Sequence, residues 1–200
     1  MERPVVLALH YQNDVLHPAG RIRVGLAEGS PNRSAVLEAA GQLLAGARLR
    51  AWPIVHVRVA FREDYADCPQ NAPIFRRVRE LGAVRDGHWG ANFMLGLEPR
   101  IGALELVVTH TCISAFAGTS LTQVLTQFRA NRLLVGGVAT HSVVEGTVRD
   151  AADRGYEIWV AEDACAAASP SSHQAALASM GLLASITTVQ EAFRSLEAST

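Results

Sequence analysis

Residues 132–146 read RLLVGGVATHSVVEG. Arg132–Gly137 is an almost unbroken apolar run of the kind that forms a strand covered on both faces. Gly136 to Glu145 then reads as a strand–turn–helix junction, with the helix starting at Val143, running to Arg154 and stopping at Gly155, a natural residue to follow a helix end. The same strand pattern recurs at Val5–His10, Pro53–Val59, Leu104–Thr109, Glu157–Ala161 and Ser185–Thr188. Helical spacing of apolar residues fills the gaps between these runs. Asn32 or Ser34 caps a helix to about Leu49, carrying Val36, Leu37, Ala40, Leu43 and Leu44. Thr119–Asn131, Ser171–Leu183 and Val189–Ala198 are further candidates. Strand–helix alternation with crossovers of this length predicts a three-layer α/β sandwich around a mostly parallel six-stranded sheet. One domain spanning residues 1–200 is expected, because no repeat, linker or low-complexity tract interrupts the pattern.

Composition narrows the function. The 200 residues are 49% hydrophobic, enough for a sizeable core, and carry a formal charge of −1. Nucleic-acid binding is not expected without a basic surplus. Apolar runs are strand-sized, so no membrane span is expected, and Met-Glu-Arg-Pro does not lead into a secretory signal. Cys68, Cys112 and Cys165 are far apart with no CxxC pair, which suits a reduced cytoplasmic protein. All 18 basic residues are arginine. The lack of lysine excludes Schiff-base chemistry and P-loop nucleotide binding.

In an open parallel sheet, ligands sit beyond the carboxyl ends of the strands. The first strand ends at His10, followed by Tyr11-Gln12-Asn13-Asp14. The third ends at His110, followed by Thr111-Cys112-Ile113-Ser114-Ala115-Phe116. The fourth leads to His141. Three of the seven histidines therefore stand at strand exits that this topology gathers together. Leu16–Ser30 and Phe61–Pro99 read as irregular, and the second is long enough to shape a binding site. Cys112, two residues beyond His110, could face the same way, whereas Ser142 would point away from the site. Asn13 and Asp14 brace the turn after the first strand. Arg58, Arg62 and Arg85 are candidates to meet a substrate carboxylate.

Ordered motifs add a resemblance across about Pro4 to Phe193. Tyr11-Gln12-Asn13-Asp14, Val55-His56-Val57-Arg58, Gly87-His88-Trp89-Gly90, Ser114-Ala115-Phe116, Gly137-Val138-Ala139-Thr140 with Glu145, Thr147, Arg149 and Asp150, and Glu162-Asp163-Ala164 follow one another as they do in the isochorismatase-like hydrolase superfamily. The chain resembles that superfamily, whose amidases use an Asp–Lys–Cys triad. The resemblance places the three roles at His10, His110 and Val143, so none is kept and amide hydrolysis by that route is not expected. It further implies a cis peptide at Val138–Ala139, an oxyanion hole from the backbone N–H groups of Ala139 and Val143, and a homodimer or larger homo-oligomer. His141 matches a histidine of the isochorismatase branch, and Trp89 an aromatic of its substrate pocket. The metal-binding Asp-x-His pattern of the family's nicotinamidases is absent, Phe61-Arg62-Glu63-Asp64 standing in its place.

The favoured expectation is a repurposed enzyme of secondary metabolism acting on a small, partly apolar molecule. His10 and His110 serve as acid and base, one ring neutral and the other protonated at pH 7, with His141 as the third catalytic candidate. Trp89, Phe116, Tyr11 and Val138 pack the substrate, and no cofactor is required. Two alternatives stay open. One is a catalytically inactive domain that binds a ligand or partner; the other is a metal held by His10, His110 and His141.

Overall fold

The computed structural model describes residues 3–24 and 31–198. The strands are β1 (Val5–Leu9), β2 (Ile54–Val59), β3 (Glu105–His110), β4 (Arg132–Val138), β5 (Glu157–Ala166) and β6 (Ser185–Thr187). They form one parallel sheet in the order β3-β2-β1-β4-β5-β6. The chain builds outward from β1 in one direction, then returns to add β4 on its other side. The exits of β1 and β4 therefore flank the switch point, where α/β sheets leave a crevice.

Alternation along the strands assigns side chains to two faces. Val6, Ala8 and Leu134 pack under α2 (Pro31–Leu49) and α7 (Val189–Ala198), through Ala40, Leu43, Leu44, Phe193 and Leu196. Val5, Leu7, Leu9, Leu133 and Val135 pack under α4 (Leu121–Gln127), α5 (Glu145–Asp153) and α6 (Pro170–Met180). Leu121, Leu125, Val148, Ala151, Leu177 and Met180 close that face. Gly137 is required where β4 meets β1, since a Cβ there would lie 2.5 Å from both the Cβ and the carbonyl oxygen of Leu9.

The predicted strands match closely, with one difference of substance. β5 continues five residues past Ala161 to Ala166, after a register shift between Val135 and Gly137. Its Glu162 and Asp163 break the apolar run, but Asp163 Oδ1 accepts the Val189 N–H at 2.9 Å and so joins the strand to α7. A π-helical turn over Thr140–Val144 precedes α5, so the helix expected from Val143 starts two residues later. α6 starts at Pro170, earlier than expected, with Ser169 Oγ accepting the Ser172 N–H as its cap.

The Phe61–Pro99 stretch is not wholly irregular. It contains α3 (Pro73–Leu81) and a 3₁₀ turn over Trp89–Ala91. Pro73 opens α3, and Gly82, at φ 60°, closes it. A single turn, α1 (Asn13–Leu16), follows β1. In the other stretch expected to be irregular, residues 25–30 lie outside the described residues.

Candidate active site

His10 follows β1 directly and holds φ 58°. A β-carbon disfavours this left-handed conformation, and residues held there against their preference concentrate at functional sites. Neighbouring groups enforce it. The His10 N–H donates to Val57 O at 2.9 Å, and Gln12 N–H donates to His10 O at 2.7 Å. The buried Gln12 amide then clamps β1 to β2, its Nε2 donating to Val59 O and Ala91 O at 2.8 Å each and its Oε1 accepting from Val59 N at 2.9 Å. Asn13 and Asp14 brace this turn as expected: Asn13 Nδ2 donates to Trp89 O, while Asp14 accepts from Arg21 N and Val84 N.

His110 ends β3, two strands away from β1, yet its Nε2 lies 2.5 Å from His10 Nε2. The ring centroids are 4.8 Å apart. His110 Nδ1 lies 3.3 Å from Ser114 O, and a carbonyl can only accept, so that nitrogen carries the proton. A neutral His110 then has a bare Nε2, and His10 Nε2 must be the donor between the rings. His10 Nδ1 is left as a lone pair with no partner among the described residues. It is not sealed in the core either, since the only buried polar side-chain atom without a partner among the described residues is His56 Nδ1.

The Ser114 carbonyl is itself held in place. Ser114 Oγ donates to Asp150 Oδ2 at 2.8 Å, and Thr147 Oγ1 accepts the Ala115 N–H at 3.1 Å. Four motif residues thus fasten the β3 exit to α5. Burial, and then the neighbouring His110, keep His10 well below the ordinary histidine value of 6.5. Burial pushes His110 down to about 4, against the raising effect of the Ser114 bond. Both rings are therefore neutral at pH 7, and the expected neutral–protonated couple is replaced by a chain of directed N–H groups.

His10 borders an apolar cavity of about 310 Å³ at the switch point. Val59, Phe61, Phe75, Val78, Ile113 and Val143 supply much of its wall, with Val138 and Ala139 beside the cis peptide that joins them. The Ala139 N–H donates to no acceptor among the described residues. Thr140, fully buried at the head of the π turn, is held by His173 Nδ1 at 2.8 Å from its Oγ1. His173 was not singled out in the sequence, where it stands alone on a helix far along the chain. The cavity is also lined by α3 and by Ile22, Arg23 and Val24, residues that carry no motif.

The structure brings together His10, His110, His141, Val138, Ala139 and Val143, with His141 exposed at the cavity. Cys112 faces the same cavity, and so does Ser142, contrary to expectation, because the π turn re-aims it. The remaining expected contacts lie elsewhere. Trp89 is 49% exposed, stacks edge-on against His17 and lines a separate groove with Arg58 and Phe93. Phe116 is in the core against Tyr156 and the Arg154 guanidinium. Tyr11 is fully buried, its hydroxyl donating to Ala164 O at 2.8 Å.

Arg58, Arg62 and Arg85 pair with Asp86, Asp64 and Glu63, and none lines the cavity. Nor do the histidines form a metal site. Two nitrogens on one tetrahedral zinc, each bonded at about 2.0–2.1 Å, lie roughly 3.3 Å apart. The two Nε2 atoms are 2.5 Å apart and face each other. Among the described residues no group of three or more His, Cys, Asp or Glu is placed to hold a metal ion.

Comparison with known proteins agrees with this architecture. The family model "Isochorismatase domain" matches residues 4–191. An uncharacterized isochorismatase family protein of Escherichia coli O157:H7, YecD, is 30% identical over 150 residues, covering 74% of this chain and 75% of its own length. The secreted isochorismatase effector Isc1 of Verticillium dahliae is 31% identical over 146 residues, covering 72% of this chain and 64% of its own. The crystal structure of an isochorismatase family protein from Desulfovibrio vulgaris superposes with a TM-score of 0.85 at 30% identity, covering 98% of this chain and 99% of that one.

Proposed function

The chain belongs to the isochorismatase family, and we propose that within it this protein is an enzyme without the amidase triad, using His10 and His110 as its acid–base machinery. The observation that carries this reading is the 2.5 Å contact between the two Nε2 atoms, with His10 in a left-handed conformation beside an apolar cavity. A drifted, unused site has no reason to retain a strained residue in a directed hydrogen-bond chain.

The chain of N–H groups implies a role for each residue. Ser114 O fixes the His110 tautomer, and His110 Nε2 accepts from His10 Nε2–H. His10 Nδ1 is thereby kept free to take a proton from a bound molecule. When it does, the positive charge formed on His10 is stabilised by the His110 lone pair. Val143 offers no nucleophile, and the backbone N–H groups of Ala139 and Val143 are the proposed partners of an oxygen that gains negative charge. Val138 and the apolar wall favour a small, partly apolar substrate.

The test is a product search by mass spectrometry. Wild type and His10→Ala are each given small amides, esters, vinyl ethers and cyclic ketones. A product formed by wild type and lost in the variant is expected. No product across all classes would return the protein to the ligand-binding reading.

Two further expectations follow. A homodimer or larger homo-oligomer is carried over from the family and is read by light scattering. No helix among the described residues is long and apolar enough to cross a membrane. Three unpaired thiols, Cys68, Cys112 and Cys165, fit a reducing compartment such as the cytoplasm, even though one relative is named as secreted.

A further inference from the structure

We infer that the cavity takes an uncharged, largely apolar ketone and that His10 Nδ1 removes a proton from the carbon beside its carbonyl. This rests on the acid–base reading above and makes it specific: the chemistry is carbon-acid chemistry, enolisation or double-bond migration, in place of hydrolysis.

The wall argues first for an uncharged substrate. At about 310 Å³ the cavity lies at the small end of ligand pockets, about 300–1,000 Å³. Among the described residues no carboxylate lines it, and its one guanidinium, Arg23, is exposed, with Nη1 3.4 Å from Pro18 O. A substrate carboxylate would shed its hydration among Val59, Phe61, Phe75, Val78 and Ile113 without a buried counter-charge, which is costly.

The wall then argues against an attacking thiol. Most of the wall around His10 is aliphatic and aromatic, and among the described residues its other polar side chains are Arg23, Cys112, His141 and Ser142. A primed nucleophile needs its base within hydrogen-bond reach. Cys112 makes no hydrogen bond to His10 or His110 among the described residues. His10 and Ala139 both line the cavity, and neither His10 Nδ1 nor the Ala139 N–H has a hydrogen-bond partner among the described residues. A weak base suffices for carbon acids when pre-placed donors hold the enolate oxygen in an apolar site.

The step balances with no further reagent. His10 Nδ1 takes the α-proton, the C–H electron pair becomes the carbon–carbon double bond, and the carbonyl π pair moves onto oxygen, which the backbone N–H groups hold. The proton, or one exchanged with solvent, returns to the same carbon or to the far end of a conjugated system.

The experiment is deuterium exchange in D₂O followed by NMR. The probes are cyclohexanone, 2-indanone and, as charged comparator, 4-oxocyclohexanecarboxylate. Wild type is expected to exchange the α-protons of the two uncharged ketones about 10²-fold faster than buffer. His10→Gln, with an unchanged melting curve, is expected to fall to the buffer rate. Should that variant not fold, Val78→Trp, which fills the cavity from α3 while keeping His10 and His110 in the chain, is expected to block exchange.

Exchange surviving in folded His10→Gln, or in folded Val78→Trp, overturns the proposal, as does equal exchange of the carboxylate. No exchange by wild type also overturns it. In that event, a product of another class lost in His10→Ala preserves the acid–base reading, and the absence of any product removes both.

Discussion

His10 and His110 are neutral because they are buried, and that neutrality has a cost in acid. The unfolded chain protonates histidine near 6.5, while folded His110 waits until about 4. Between those values the unfolded state binds more protons, so stability falls as pH drops from about 6.5 towards 4 and is fully present above 6.5. Urea denaturation of wild type at pH 7, 5.5 and 4.5 should show this slope. His110→Gln should make it shallower, with His10 and His56, also held below 6.5 by burial, supplying the rest. A slope unchanged in the variant would place the acid sensitivity elsewhere.

Among elements, the 3₁₀ turn at Trp89–Ala91 and the turn after β1 fit together through one missing side chain. A Cβ on Gly90 would stand 2.0 Å from Asp14 Oδ2. That oxygen accepts the Val84 N–H at 2.7 Å, and its neighbour Oδ1 accepts the Arg21 N–H at 3.1 Å. Gly90→Ala should therefore cost about 1–3 kcal/mol by overpacking, in addition to any bond it displaces, as measured by urea denaturation. The helix α3 was legible in principle, since Pro73 and Gly82 bracket it. Its apolar Ile74, Phe75, Val78 and Leu81 stand at helical spacing on one short face, but it buries only Phe75 fully and lies within a long stretch rich in turn residues. The end of β5 was hidden for a related reason: Glu162 and Asp163 look like a strand stop, and only the approach of α7 gives Asp163 a partner.

Across the whole molecule, a buried ion cluster ties one helical layer to the sheet edge. Glu105 Oε1 and Oε2 accept from Arg48 Nε at 2.7 Å and Nη2 at 3.0 Å, Oε2 lies 2.9 Å from His56 Nε2, and it also accepts the Arg100 N–H at 2.9 Å. Burial works to raise the Glu105 carboxyl, but Arg48, the Arg100 N–H and His56 outweigh it and hold the group at about 2. Its contribution is complete above the ordinary 4.5 and is lost as pH falls from there towards 2, a window below that of the histidine pair. Glu105→Gln strands Arg48 and should cost about 3–5 kcal/mol in chemical denaturation at pH 7. A loss under 1 kcal/mol would mean that water replaces the carboxylate.

By itself the sequence determined the layered fold, the strand exits and the motif-bearing turns, because hydrophobic period and turn chemistry act over a few neighbouring residues. It placed His10, His110, Val138, Ala139 and Val143 near one another for the same reason: each follows a strand. Only the tertiary structure decided which ring meets which. β3 is not β1's neighbour, and the contact spans the exit of β2, where Gln12 ties the turn after β1 to Val59 and Ser114 O holds the His110 ring. It also sent Trp89 to another groove and Phe116 and Tyr11 to the core, and it made both rings neutral. Those outcomes depend on burial and on long-range proximity, which no local pattern of residues encodes.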